Sequence, residues 1–186
     1  SDVGILLPQR GEACGTGVVP TNSTTMMLAL GDAIAIALME NRSFTPENFR
    51  DFHPGGRLGA RLSKVRDLMH TGDAIPLVGE RTPMGDTLLT ISQKGFGVVG
   101  VLDGDGRLTG IITDGDLRRH MDGLLDQTAG AVMTPNPRTV GPDILAEQAV
   151  AQMTGRITCL LVVDPTGSRN VVGILHIHDC LRAGIV

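Results

Sequence analysis

The sequence predicts an α/β chain made mostly of one unit written twice, with a shorter α/β segment before it. Three observations carry that prediction. The phrase GIITDGDLRR at 110–119 returns as GILHIHDCLR at 173–182, with the Gly pair and the Asp pair both 63 residues apart. Ahead of each phrase lie an apolar pattern of helical spacing and then two short apolar runs of strand type. The first sixty or so residues share none of this and hold a Gly-rich stretch and one long apolar segment.

Composition narrows the function classes. A length of 186 residues allows one or two small domains with their own cores. Hydrophobic residues at 41% exclude a disordered chain. Net charge is −4, no basic run is present, and with no Trp, no Tyr and four Phe there are few platforms for stacking bases, so no nucleic-acid partner is expected. Cys14, Cys159 and Cys180 are an odd set without CxxC spacing, which fits a reducing compartment. No signal-peptide pattern is seen. The most apolar stretch, MMLALGDAIAIALM at 26–39, carries Asp32, is expected to be too short to span a bilayer, and reads as a buried helix. The opening SDVG, without Met, suggests a piece excised from a longer protein.

The elements follow in order. In the first part, 1–62, a helix is expected from near Ser23 or Thr24, whose hydroxyls can cap free N–H groups. Asp32 within it is expected to meet a buried polar partner. A second helix should start at Thr45, with Thr45 as N-cap and Pro46 in the first helical position, and HPGG at 53–56 then breaks the chain. Copy one, 63–124, begins VRDLMH; copy two, 125–186, begins AGAVMT, with Met69 and Met133 aligned. A helix is predicted from Pro83 to about Gln93 in copy one and from Pro142 to about Met153 in copy two. Two strands follow in each, GVVGVLD and RLTGIIT, then CLLVVD and NVVGIL, and a short helix closes each copy from Asp116 and Asp179. One such unit cannot bury both faces of its sheet, whereas two packed face to face can.

The repeated phrase has a chemistry of its own. Thr113 ends a strand and faces the start of the next helix, a place suited to phosphate. Asp116 offers two carboxylate oxygens, enough for the two donors of a ribose diol. The alternative is that Asp116 and Asp179 simply cap helices. His176 stands where Thr113 stands in copy one, replacing a small hydroxyl by an imidazole. His176, His178 and Asp179 fall short of a convincing zinc set, because no further ligand is in view, so no metal is expected. DGDGRLTGIITD resembles a calcium loop for three residues only and is read as a hairpin turn.

Length, element order and the phrase G-h-h-T-x-x-D together resemble a tandem pair of CBS domains, a nucleotide-sensing module, over 64–186. The resemblance implies that Thr113 and Asp116 hold phosphate and ribose, with the base against apolar residues such as Ile75 and Val98. His176 and Asp179 would form the matching second site, where His176 departs from the pattern.

PTNSTTMMLALGDAIAIALM followed by FHPGGRLG resembles the last section of a sugar isomerase (SIS) domain, a flavodoxin-like parallel-sheet fold. Together with DLMHTGDAIP, TDGDLRR and HIHDCLRAGIV, this resembles the D-arabinose 5-phosphate isomerases, which form D-ribulose 5-phosphate on the way to the lipopolysaccharide sugar Kdo. That resemblance implies proton transfer by His53 of HPGG and a sugar-phosphate pocket bordered by Ser23, Thr24 and Thr25. From its residues alone His53 is better explained as a residue that only hydrogen-bonds within a turn. The family's Ser/Thr-rich phosphate loop and other catalytic residues lie upstream of PTNSTT and have no counterpart here, so this chain is expected to be inactive alone. The implied full protein is a cytoplasmic homo-oligomer without cofactor, acting on a sugar phosphate and sensing an adenine nucleotide or CMP-Kdo. The rivals are a stand-alone CBS regulatory or oligomerisation module and a sibling SIS-CBS isomerase of another sugar pathway.

Overall fold

The computed structural model describes residues 4–52, 60, 62–153 and 157–185. It divides into two compact units, Ser1–Phe52 and His53–Val186.

The first unit holds two helices, α1 (Asn22–Asn41) and α2 (Pro46–Phe52). Helix α1 starts at Asn22, with Thr21 at the cap position, rather than at Ser23 or Thr24. The reason is a carboxylate from the preceding loop. Glu12 Oε2 accepts the Thr21 N–H at 2.6 Å, the Thr21 hydroxyl at 3.0 Å and the Ser23 N–H at 3.4 Å. The two N–H groups are among the backbone donors that a helix start leaves unpaired. The Thr45 start is as expected: its Oγ1 accepts the Asn48 N–H at 3.3 Å, while Asn48 Oδ1 accepts the Thr45 N–H at 3.0 Å.

Three expectations about α1 need correction. No residue of it is buried, and Ile36 and Leu38 are more than half exposed, because within its own unit the described residues provide no sheet to lie against. Asp32 therefore has no buried surroundings. Helix α1 also runs beyond both ends of the apolar stretch to 20 residues, long and apolar enough by length and composition to cross a membrane, a test that core helices of soluble proteins also pass.

The second unit is built from the repeat. Copy one supplies α3 (Val65–Leu68), β1 (Leu77–Gly79), α4 (Met84–Lys94), β2 (Val98–Leu102), β3 (Leu108–Thr113) and α5 (Asp114–Arg119). Copy two supplies α6 (Ala129–Val132), β4 (Thr134–Pro135), β5 (Thr139–Val140), α7 (Ala146–Gln152), β6 (Cys159–Val163), β7 (Val171–His176) and α8 (Ile177–Arg182). Helix α4 ends on Gly95 in the left-handed region, φ 74°, where a residue without Cβ is unstrained. Helix α7 starts four residues later than Pro142, since Pro142 and Ile144 instead give their carbonyls to the N–H groups of Arg66 and Val65. Helices α5 and α8 start two residues before Asp116 and Asp179, so Thr113 and His176 are the caps and each Asp sits in the first turn.

In each sheet a parallel pair and an antiparallel pair share a central strand: β1-β2-β3 and β5-β6-β7. The fourth strand of the first sheet is β4, which comes from copy two and pairs with β3 through Gly110 and Ile111. The exchange is mutual. His70 of copy one bridges Ile174 on β7, with paired N–H···O bonds of 2.9 and 3.0 Å. The cores follow the exchange. Val65 and Met69 pack with Val140, Leu160 and Leu175, whereas Ala129, Val132 and Met133 pack with Val99, Val101 and Ile112.

A third cluster lies between the sheets: Val98 and Leu108 from one, Cys159, Leu161 and Ile174 from the other. A register shift at Val101/Leu102 turns Leu108 to this seam while Ile112, four residues on, faces the helices. Copy two repeats the shift at Val162/Val163. The face-to-face arrangement expected from the repeat is thus realised, and each fully buried Val, Leu or Ile in it stabilises by about 1.5–3 kcal/mol.

Candidate functional site: the paired Asp junctions

Two junctions arise where each exchanged segment meets the phrase of the other copy. At the first, Asp116 is 2% exposed. Its Oδ2 accepts the Thr113 N–H at 2.8 Å and the Thr113 hydroxyl at 2.7 Å. Its Oδ1 accepts the Thr134 hydroxyl at 2.6 Å and a guanidinium N–H of Arg119. Thr134 comes from copy two, so the carboxylate ties the copies together. Burial alone would raise the carboxyl's pKa; the bonds from Thr134 and Thr113, with the Arg119 charge, outweigh it and hold Asp116 below the ordinary range.

The second junction keeps the plan and changes the residues. Asp179 Oδ2 meets His70 Nε2, from copy one, at 2.9 Å, and Oδ1 accepts from Arg182 at 2.6 Å. His70 thus corresponds to Thr134, and Arg182 to Arg119. Burial again raises the carboxyl's pKa, but the bonds from Arg182 and His70 outweigh it, and Asp179 stays below its usual value. His176 Nδ1 accepts the His178 N–H at 3.1 Å. The His176 ring stacks on His178 at 4.8 Å and lies 6.3 Å from Phe96, which meets His70 edge-on at 5.1 Å.

The two carboxylates differ in what they have left to offer. A carboxylate has about four acceptor directions. Asp116 has four donors on them; Asp179 has two, and its side chain is 12% exposed. Val98 is buried in the seam opposite Thr113 in the β2–β3 register, and Ile75 is half-buried against the same cluster. Among the described residues no group of three His, Cys, Asp or Glu side chains is placed to hold a metal ion. Burial pushes the Cys159 thiol up to about 11 and raises Cys180 as well, so neither is a thiolate at neutral pH.

The remaining candidates lie in the first unit or outside the described residues. His53 is outside them. Ser23 lines a cavity of about 520 Å³ together with Arg10 and Gln9. Thr24 and Thr25 are exposed; the Thr24 hydroxyl donates to the Thr21 carbonyl at 2.9 Å. Sequence reasoning missed Thr134 and His70, which sit one residue after the aligned Met133 and Met69. It also missed Glu12, held at a pKa of about 2 chiefly by Ser23 and the Thr21 N–H. The signal for the first two was the alignment itself; Glu12 stood unmarked in a Gly-rich run.

Comparison with known proteins agrees with this architecture. The CBS domain model matches residues 65–123 and 129–185. Arabinose 5-phosphate isomerase KdsD of Salmonella typhi is 46% identical over 100% of this chain and 57% of its own length. The protein of that name from Pseudomonas aeruginosa is 47% identical over 94% of this chain and 55% of its own. The chain therefore spans a little over half the length of these curated relatives. Among solved structures, CBSX2 in complex with AMP superposes with a TM-score of 0.56 at 25% identity, over 66% of this chain and 96% of that one. With matched stretches that take in more than half of its residues, two exchanged and face-packed copies, and the repeated Asp junction, the chain belongs to the CBS-domain family and carries the domain as a tandem pair.

Proposed function

We propose that this chain is the C-terminal portion of a D-arabinose 5-phosphate isomerase of Kdo biosynthesis, with the CBS pair as its nucleotide-responsive regulatory part. The observation that carries the reading is identity of 46% to such an isomerase along the whole chain, the non-CBS first unit included. The reaction moves a proton between C2 and C1 through an enediolate. A His that titrates near neutral pH is a competent proton carrier for that step, which is the role proposed for His53. Ser23, beside Arg10 on the 520 Å³ cavity, is the proposed contact for the sugar phosphate. The whole protein would be a cytoplasmic homo-oligomer.

The test is aldose–ketose conversion of D-arabinose 5-phosphate by the full-length protein, by its His53→Gln variant and by this chain alone. Turnover by the first is expected, with a loss of about 10²- to 10⁴-fold in the second and none by the third. A full-length protein that converts a different sugar phosphate instead would assign it to a sibling isomerase, and one with no turnover would overturn the reading.

For the regulatory part, adenine nucleotides are favoured by the AMP bound to CBSX2, and CMP-Kdo, as activated end-product, is the alternative ligand. One observation favours a second reading, in which the pair is an assembly device: all four acceptor directions of Asp116 already have protein donors. Calorimetry with AMP, ATP and CMP-Kdo decides between them. Binding lost in Asp116→Ala supports sensing, and silence from the folded chain supports assembly.

A further inference from the structure

The two equivalent helix starts are held by different chemistry. In copy one a hydroxyl and a carboxylate, Thr113 and Asp116, hold the turn. The nearby imidazole, His120, lies at the other end of α5, where its Nδ1 faces the Asp116 carbonyl at 3.0 Å and a donor is wanted. In copy two the cap is an imidazole nitrogen. His176 Nδ1 accepts the His178 N–H, and a ring nitrogen that accepts carries no proton, so this bond requires neutral His176 with its proton on Nε2.

The surroundings work against a second proton on that ring. His178 is stacked on it, and among the described residues His70 and Arg182 are the other cationic or potentially cationic groups facing it. Asp179 is the one facing carboxylate among the described residues, already shared between His70 and Arg182. Across the sheet His176 is paired with Cys159, whose thiol is uncharged, and the Phe96 ring covers another side. Burial first, then His178, Arg182 and His70, outweigh Asp179 and hold His176 below its usual 6.5.

We propose that His176 is a proton-sensitive cap: a proton taken from solvent at Nδ1 breaks the bond to the His178 N–H, releases the first turn of α8, and with it loosens the Asp179–His70 tie between the copies. The sign follows from linkage. A group whose folded pKa lies below its unfolded one contributes stability above the unfolded value, about 6.5, and that stability is lost as pH falls through the folded value. His70 meets the same Asp179, so the variants must isolate His176.

The test is urea unfolding of the whole chain at about pH 7.5 and about pH 5, for wild type, His176→Asn and His176→Thr, with the His176 ring titrated by NMR in the wild type. Asn keeps an acceptor that cannot take a proton; Thr is the copy-one residue. The expected results are a His176 midpoint below about 6.5 and a fall in urea midpoint on acidification that is smaller in both variants. Each pH unit of depression makes the protonated folded form about tenfold rarer. A midpoint at or above about 6.5, or variants that lose as much as the wild type, overturns the proposal. If His176→Thr does not fold, the Asn variant and the ring titration still decide. No nucleotide is present, so the outcome is independent of what the pair binds.

Discussion

At the scale of the residue, the two Asp side chains show how the same position acquires different worth. Asp116 is buried and accepts four hydrogen bonds, from both copies. Asp116→Ala leaves the Thr113 N–H, two hydroxyls and a guanidinium short of a partner, at about 1–3 kcal/mol for a buried group so orphaned. Asp179 holds two partners and touches solvent, so Asp179→Ala is expected to cost less. Urea unfolding of the two variants at neutral pH checks the order. The pH dependence has a definite sign. The folded pKa of Asp116 is depressed, so its contribution is present above the ordinary carboxylate value of about 3.9 and disappears as pH falls through the folded value. Asp116→Ala should therefore flatten the acid limb of the stability curve, which unfolding midpoints between about pH 5 and about pH 2 would record.

At the scale of the element, the Gly that opens each repeated phrase is explained by the exchange. A Cβ on Gly110 would fall against the Cβ, Cγ and Sδ of Met133, and one on Gly173 would lie about 2.5 Å from the Met69 sulfur and 3.1 Å from the His70 carbonyl. Neither glycine is in the left-handed region, so the requirement is space rather than backbone conformation. Gly110→Ala is expected to cost about 1–3 kcal/mol through overpacking. Met133→Ala should relieve part of that loss, giving a double-mutant cycle whose terms do not add. Additive effects in urea unfolding would contradict the account. The same view explains why the aligned Met residues carry the register of each lead-in segment: they seat it on the partner strand beside β4 and at His70.

At the scale of the whole molecule, the exchange makes the spatial halves differ from the written copies. The first sheet with its covering helices runs continuously from β1 to β4, residues 77–135, whereas the second needs Val65 to His70 from far upstream. A fragment of residues 71–137 should therefore unfold more cooperatively than one of residues 63–124, which loses Ala129, Val132 and Met133 from its core. Circular dichroism with urea titration of the two fragments checks this, and equal cooperativity would count against the exchange. Both fragments still expose Val98 and Leu108, so each should be less stable than the intact pair.

Much of this was legible in the sequence because repetition and periodicity are local signals. The 63-residue offset of the repeated phrase, the apolar spacing of α4 and the runs that form β2, β3, β6 and β7 gave element order and the tandem pair. Thr45 and Pro46 marked α2 because capping needs only neighbouring residues. Contacts over long separations left no such mark. Periodicity could not show that α1 has no buried face, since burial depends on what lies opposite rather than on the helix itself. Nor could it show that Glu12 reaches the start of α1, that Thr134 saturates Asp116, or that His70 reaches Asp179 across 109 residues. By itself, then, the sequence determined that this protein is a duplicated α/β unit with an Asp at each closing helix. The tertiary structure alone decided which copy completes which sheet, and hence that one Asp is fully bonded while the other answers to a histidine, because those bonds join segments that only folding brings together.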